Sequence, residues 1–104
     1  MELFEDAVAV LAAEYPGDER GRMLRSLGVK TGGKFYAFAT EVDVVVKLSA
    51  GRVAELVAAG VGVPCETRPG HPMREWVRLV PADVDECLDH LREARAFVAE
   101  SAAS

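Results

Sequence analysis

Apolar side chains recur along the first segment at steps of three and four. Phe4, Ala7, Val8, Leu11 and Tyr15 fall on one stripe, which predicts a helix over Leu3 to Tyr15. Glu2, Glu5 and Asp6 lie in its first turn, where the helix dipole favours anions, and Pro16-Gly17 stops it. Asp18 to Leu27 is polar and basic and reads as a short helical turn. The period then shortens. Lys34 to Thr40 and Val42 to Leu48 are β-branched and aromatic, as strands require, with Glu41 in their connection. Thr31-Gly32-Gly33 predicts a tight turn, so a strand around Leu27 to Lys30 pairs with the next one. Ser49 caps a helix reaching Ala59, with Val53, Leu56 and Val57 on its apolar face and Gly60 at its stop. Val63 to Arg68 is a short strand that Pro64 places at an edge. The segment from Arg68 to Pro72 reads as a loop, and Arg74 to Val80 as a strand. Pro81-Ala82-Asp83 opens the last helix, where Asp83 and Glu86 approximate a capping box. Its stripe is Val84, Cys87, Leu88, Leu91, Ala94 and Val98, and Ser101 to Ser104 are expected to fray.

The predicted order is helix, three strands, helix, two strands, helix. Segregated hairpins of this kind imply an α+β fold of two layers, an antiparallel sheet of about five strands with the helices on one face. Alternation separates Arg74, Trp76, Arg78 and Val80 from Glu75, Val77 and Leu79. It separates Tyr36 and Phe38 from Phe35, Ala37 and Ala39 in the same way. Both sheet faces therefore carry apolar groups, and an apolar outer face invites dimerisation.

Composition narrows the class. The chain has 104 residues, read as one domain over 1–104, and is 50% hydrophobic and 28% charged, which excludes a disordered polypeptide. Cys65 and Cys87 are too few for a secreted disulfide scaffold. The acidic start is unlike a signal or transit peptide, and no apolar run reaches the roughly 20 residues of a membrane span, so a cytoplasmic location is expected. The net charge of -5 is unevenly spread: a basic middle, from Arg20 to Arg78, lies between two acidic ends. The whole molecule repels nucleic acid at long range, while a local basic patch remains able to bind at short range.

The motifs that suggest chemistry are weak. Gly28 to Lys34 matches the first seven positions of a phosphate-binding loop, G-x-x-x-x-G-K. Phe35 stands where that loop needs Ser or Thr, and a strand follows instead of a helix. Cys87 and His90 lie three apart on a helix, but with Cys65 and His71 they form no recognised zinc spacing. Cys65 with His71 is a nucleophile and a base without an evident orienting group. No catalytic, metal or cofactor residue is therefore assigned, and no cofactor is expected. The strongest candidate binding surface is Arg74 and Arg78 flanking Trp76, with Arg68 and His71 nearby, since cations beside an aromatic suit a base or a phosphate. A second basic patch is Arg20, Arg22, Arg25, Lys30 and Lys34.

Several short motifs resemble the TfoX N-terminal domain family and its wider MmcQ/YjbR-like relatives. They are Gly21-Arg22-Met23, Leu27-Gly28-Val29-Lys30, Gly33-Lys34-Phe35-Tyr36-Ala37, Val45-Val46-Lys47-Leu48 and Pro72-Met73-Arg74-Glu75-Trp76-Val77. The resemblance runs from about residue 20 to 98. Family members often read Met-Phe-Gly after the arginine, where this chain has Met23-Leu24-Arg25. The resemblance implies a secretion-chaperone-like two-layer fold in the order read above. It carries over no catalytic or cofactor residue. Together these readings predict a non-enzymatic binding or regulatory domain that acts through protein–protein contact, as a homodimer and with an unidentified protein. A DNA-binding module is the alternative, disfavoured by net charge. A small hydrolase or transferase using Cys65 or His71 ranks last.

Overall fold

Three helices and six strands follow one another in the computed structural model, which describes residues 2–23, 26–68 and 70–103. They are α1 (Glu2–Glu14), β1 (Glu19–Met23), β2 (Ser26–Thr31), β3 (Lys34–Ala39), β4 (Val44–Lys47), α2 (Ala50–Ala58), β5 (Gly62–Arg68), β6 (His71–Leu79) and α3 (Val84–Ala103). The strands form a single sheet in the order β1-β2-β3-β4-β6-β5, with every neighbouring pair antiparallel. The α+β class and the element order agree with the sequence reading, with one more strand.

The extra strand is β1, in the segment read as a helical turn. Glu19 to Met23 has no apolar stripe for a helix to bury. As an edge strand it gains a full ladder with β2, from Glu19 opposite Lys30 to Met23 opposite Ser26. Two other boundaries also moved. His71 already pairs with Arg68, so the predicted loop contracts into a hairpin. The last helix runs through Ser101 to Ala103, where fraying was expected.

Helix stripes and alternate strand residues meet in one core. Phe4, Ala7, Val8 and Leu11 of α1, Val53 and Leu56 of α2, and Cys87, Leu88, Leu91, Ala94 and Val98 of α3 supply the helix side. Ala37, Val46 and Val77 form one cross-strand row beneath them, and Ala39, Val44 and Leu79 the next. Helix α3 lies over β2, β3 and β4 and packs against α1, while α2 covers β5 and β6. All three helices thus occupy one face. No helix among the described residues is long and apolar enough to cross a membrane.

A polar clamp fixes the link between α1 and β1. Arg95 of α3 donates to Asp18 from Nε at 2.7 Å and from its terminal nitrogen at 3.0 Å, and its guanidinium stacks 3.5 Å from the Tyr15 ring centroid. The buried Tyr36 hydroxyl also donates to Asp18, at 3.3 Å. Burial pushes the Asp18 carboxyl up. Hydrogen bonds from Arg95 and Thr31, the Arg95 charge and the Tyr36 bond outweigh it, leaving the carboxyl below its ordinary range.

One register irregularity changes which side chains share a face. Val29 pairs with Ala37, but the next residue, Lys30, pairs with Phe35. Tyr36 is therefore an additional residue in β3, a bulge. Tyr36 and Ala37 both turn into the core, at 1% and 0% exposure. Phe35 and Phe38 come to the opposite face. The expected split, with Tyr36 beside Phe38, is thereby corrected: strict alternation fails across a bulge.

Candidate binding surface

The helix-free face is built by alternate residues of all six strands. Phe38, Val45, Arg78 and Val63 form a cross-strand row on β3, β4, β6 and β5. Lys47 and Trp76 pair in the adjoining row. Gly21 and Gly28 face each other on β1 and β2. This face is more fully furnished than an open sheet surface needs to be.

Its first feature is an aromatic ring laid over glycine. A Cβ at Gly28 would stand 2.9 Å from Phe35 ring carbons and from the Ala37 carbonyl oxygen, and one at Gly21 would stand 3.1 Å from the ring. Phe35 thus occupies the space that two side chains would fill, covering the β1–β2 backbone. Lys30 extends over the same ring, its Nζ 5.3 Å from the centroid.

The second feature is a ring pair. Phe38 and Trp76 meet at 5.6 Å between centroids with a 51° tilt. Val45 lies between their strands and is 2% exposed, although no helix covers this side. Trp76 is itself 8% exposed, with the Lys47 Nζ 5.8 Å from its ring. Val63, across β6, is left 54% exposed.

The third feature is a buried carboxylate. The turn between β3 and β4 is tied by Thr40, whose Oγ1 accepts from the backbone of Val42 and Asp43 and donates to Asp43 Oδ1 at 2.5 Å. Asp43 Oδ2 accepts from Arg78 Nε at 2.7 Å. Asp43 is 3% exposed, so Arg78 is committed to it rather than presented to an anion.

These contacts revise the expected site. Trp76 and Arg78 do share the outer face, but Arg78 is ion-paired and the Trp76 ring is shielded. Arg74 is exposed and pairs with no carboxylate among the described residues. The side chains of Arg68 and His71 lie outside the described residues. The second basic patch is divided. Arg20 pairs across the sheet with core-facing Val29 and bonds Glu5 of α1 at 2.8 Å, so it belongs to the helix side, and alternation puts Arg22 there too. Lys30 stands on the outer face, 3.9 Å from Glu19, and Lys34 is exposed beside the hairpin turn. Arg25 lies outside the described residues.

Sequence reasoning missed Asp43, Lys47, Phe35 and Phe38 as parts of this surface. A lone Asp opening an otherwise apolar strand, three residues after Thr40, was a usable sign of a turn with a buried acid. The bulge that carries Phe35 outward had no such sign.

The weak chemical motifs resolve into structure. Gly32 and Gly33 both take positive φ, 57° and 81°, and close the β2–β3 hairpin, so the phosphate-loop match is a two-residue turn between strands. Burial raises the Cys65 thiol; Arg78 lowers it and Asp43 raises it, leaving it above its ordinary value, the wrong direction for a nucleophile. Burial, with a smaller contribution from Glu86, pushes Cys87 up to about 11. His90 is half-buried with Nε2 3.9 Å from Glu86. Among the described residues no group of three His, Cys, Asp or Glu is placed to hold a metal ion.

Comparison with protein-family models, with curated proteins and with solved structures gave no significant match.

Proposed function

We propose that this chain is a non-enzymatic binding domain of the TfoX N-terminal type that acts through its helix-free sheet face, where two copies pair. The observation that carries the reading is the placement of Phe35, Phe38 and Trp76 on one face while all three helices lie on the other. An aromatic surface rimmed by Lys30, Lys47 and Arg78, with Val63 left exposed, has the apolar centre and polar edge of a protein–protein interface. The motifs that resemble that family, which run through β1, β2, β3, β4 and β6, support the same assignment.

Sedimentation equilibrium across about 1–200 μM tests it, a range chosen to bracket the micromolar affinity of a modest interface. A concentration-dependent dimer that Val63→Glu dissociates supports the reading. A monomer throughout that range, or a dimer indifferent to Val63→Glu, refutes it.

Duplex DNA binding is the second reading, favoured by the cations on the same face. Against it, the charge of Arg78 is neutralised by Asp43 and the Arg20 cluster is divided between the two sheet faces. Anisotropy of labelled duplex at about 50 and 200 mM salt separates the two, because phosphate contacts lose orders of magnitude in affinity over that range.

A further inference from the structure

A trough of about 430 Å³ runs between α2 and the β5–β6 hairpin. Ala50, Ala54 and Ala58 follow one another at steps of four along α2 and leave one wall low, with Val53 and Val57 beside them. Pro64, Met73 and Trp76 form the other wall. The eight steps from Ala50 to Ala58, at about 1.5 Å each, make it about 12 Å long, the extended length of a chain of about ten carbons. Its volume lies within the usual range of small-molecule sites.

The trough is apolar along its length and cationic at one end. There it adjoins a second hollow, also about 430 Å³, that shares Ala50, Met73, Arg74 and Trp76 and adds Lys47 and Glu75. Two cations and one carboxylate line that hollow. Arg74 is the informative one. Arg20, Arg52, Arg78, Arg92 and Arg95 each hold a carboxylate partner, whereas Arg74 and Arg22, among the described residues, hold none, and of these two it is Arg74 that lines the trough. An arginine in a chain so rich in acids, left unpaired at the mouth of an apolar trough, is poised to receive an anion from outside the molecule.

We infer that this trough binds a medium-chain monocarboxylate, its alkyl chain lying along Ala50, Ala54 and Ala58 and its carboxylate on Arg74. This goes beyond pairing through the sheet, although the two surfaces share Trp76, whose ring meets Phe38 on the helix-free face. Helix α2 lies on the opposite side of the sheet from Phe38 and Val63. Trp76 lines the trough and is the only tryptophan in the chain, so it reports occupancy; because its ring also meets Phe38 on the helix-free face, substitution at Ala54, on the α2 wall, assigns the quenching to the trough.

The test is quenching of Trp76 fluorescence by 10-bromodecanoate, a heavy-atom probe, kept below its micellar concentration. Saturable quenching is expected, competed by plain decanoate. Arg74→Glu should weaken it about tenfold or more, as loss and reversal of a charge-assisted contact predicts. Ala54→Phe should abolish it by filling the trough at an exposed helix position, where folding tolerates the change. Decanol, which lacks the anion, should compete at least fivefold less well than decanoate. Absence of saturation overturns the inference, as does quenching unaltered by both substitutions. Equal competition by decanol overturns the assignment of the carboxylate to Arg74.

Discussion

Arg78 and Asp43 bond across β4 and β6, Nε to Oδ2 at 2.7 Å, with the carboxylate 3% exposed and the arginine side chain 45% exposed. The pair is therefore a structural tie on the candidate face: it holds the β3–β4 turn, already knotted by Thr40, onto the neighbouring strand. Arg78→Ala would leave a buried carboxylate short of one donor. The expected loss is about 1.5–3 kcal/mol of stability, reduced from the cost of a fully buried pair because the arginine is half in water. Urea unfolding measures it. A loss below about 0.5 kcal/mol, the range of an ordinary surface change, would contradict the structural role.

Asp18 makes stability depend on acid. Its folded carboxyl lies below the ordinary value of 3.8, so the folded state holds the deprotonated form more tightly than the unfolded chain does. The contribution is present above about pH 4 and is lost as pH falls through the folded value. Asp18→Asn removes the titrating group. Its urea midpoint should change less between pH 5 and 3 than that of the parent chain. Parallel profiles would show that Asp18 contributes nothing to acid sensitivity.

Cys87 acts at the other end of the scale. Burial raises its thiol from 9.0 to about 11, so the unfolded chain ionises first as pH rises. Its stabilising contribution is complete below about pH 9 and declines from there to pH 11. A rise of two units corresponds to at most about 3 kcal/mol. The buried Tyr36 hydroxyl, also raised by burial and by the Asp18 charge, adds to the same alkaline loss above pH 10. Cys87→Ala, compared with its parent at pH 8 and 10, should show the shallower fall. In the native protein at pH 8, Ellman's reagent should reach Cys65 before Cys87, which is 0% exposed.

Gly28 carries a prediction about the outer face. Gly28→Ala places a methyl 2.9 Å from both the Phe35 ring and the Ala37 carbonyl. Phe35 must swing off the β1–β2 backbone, at an expected cost of about 1–3 kcal/mol. Thermal unfolding reads the cost, and the NMR shifts of the Lys30 side chain should move as the ring leaves it. An unchanged melting temperature would mean that the ring is not packed there.

Much of the architecture was written in the periodicity. The α1 stripe from Phe4 to Leu11, the α3 stripe from Cys87 to Val98 and the Ser49 cap each depend on neighbours within a few residues, and each appears where the pattern put it. Local hydrogen bonding and side-chain spacing determine such features before any tertiary contact forms. The antiparallel hairpin at Gly32-Gly33 is equally local, because glycine takes two successive positive φ values at no steric cost.

Tertiary structure decided the rest, for a different reason. Glu19 to Met23 has no strand signature of its own, and it becomes β1 because the edge of β2 offers it a ladder. The bulge at Tyr36 reverses the facing of Phe35, and it is set by pairing with β2 together with the reach of the Tyr36 hydroxyl to Asp18. Arg74 and Arg78 look alike as residues two positions either side of Trp76. Only the fold distinguishes them, by setting the Asp43 carboxylate against one and leaving the other at the end of an apolar trough. Sequence determined the class of fold and every element except β1, because those follow from interactions along the chain. Which charges are spent inside the molecule and which remain for a partner follows from contacts between residues distant in sequence, and these exist only once the sheet has closed.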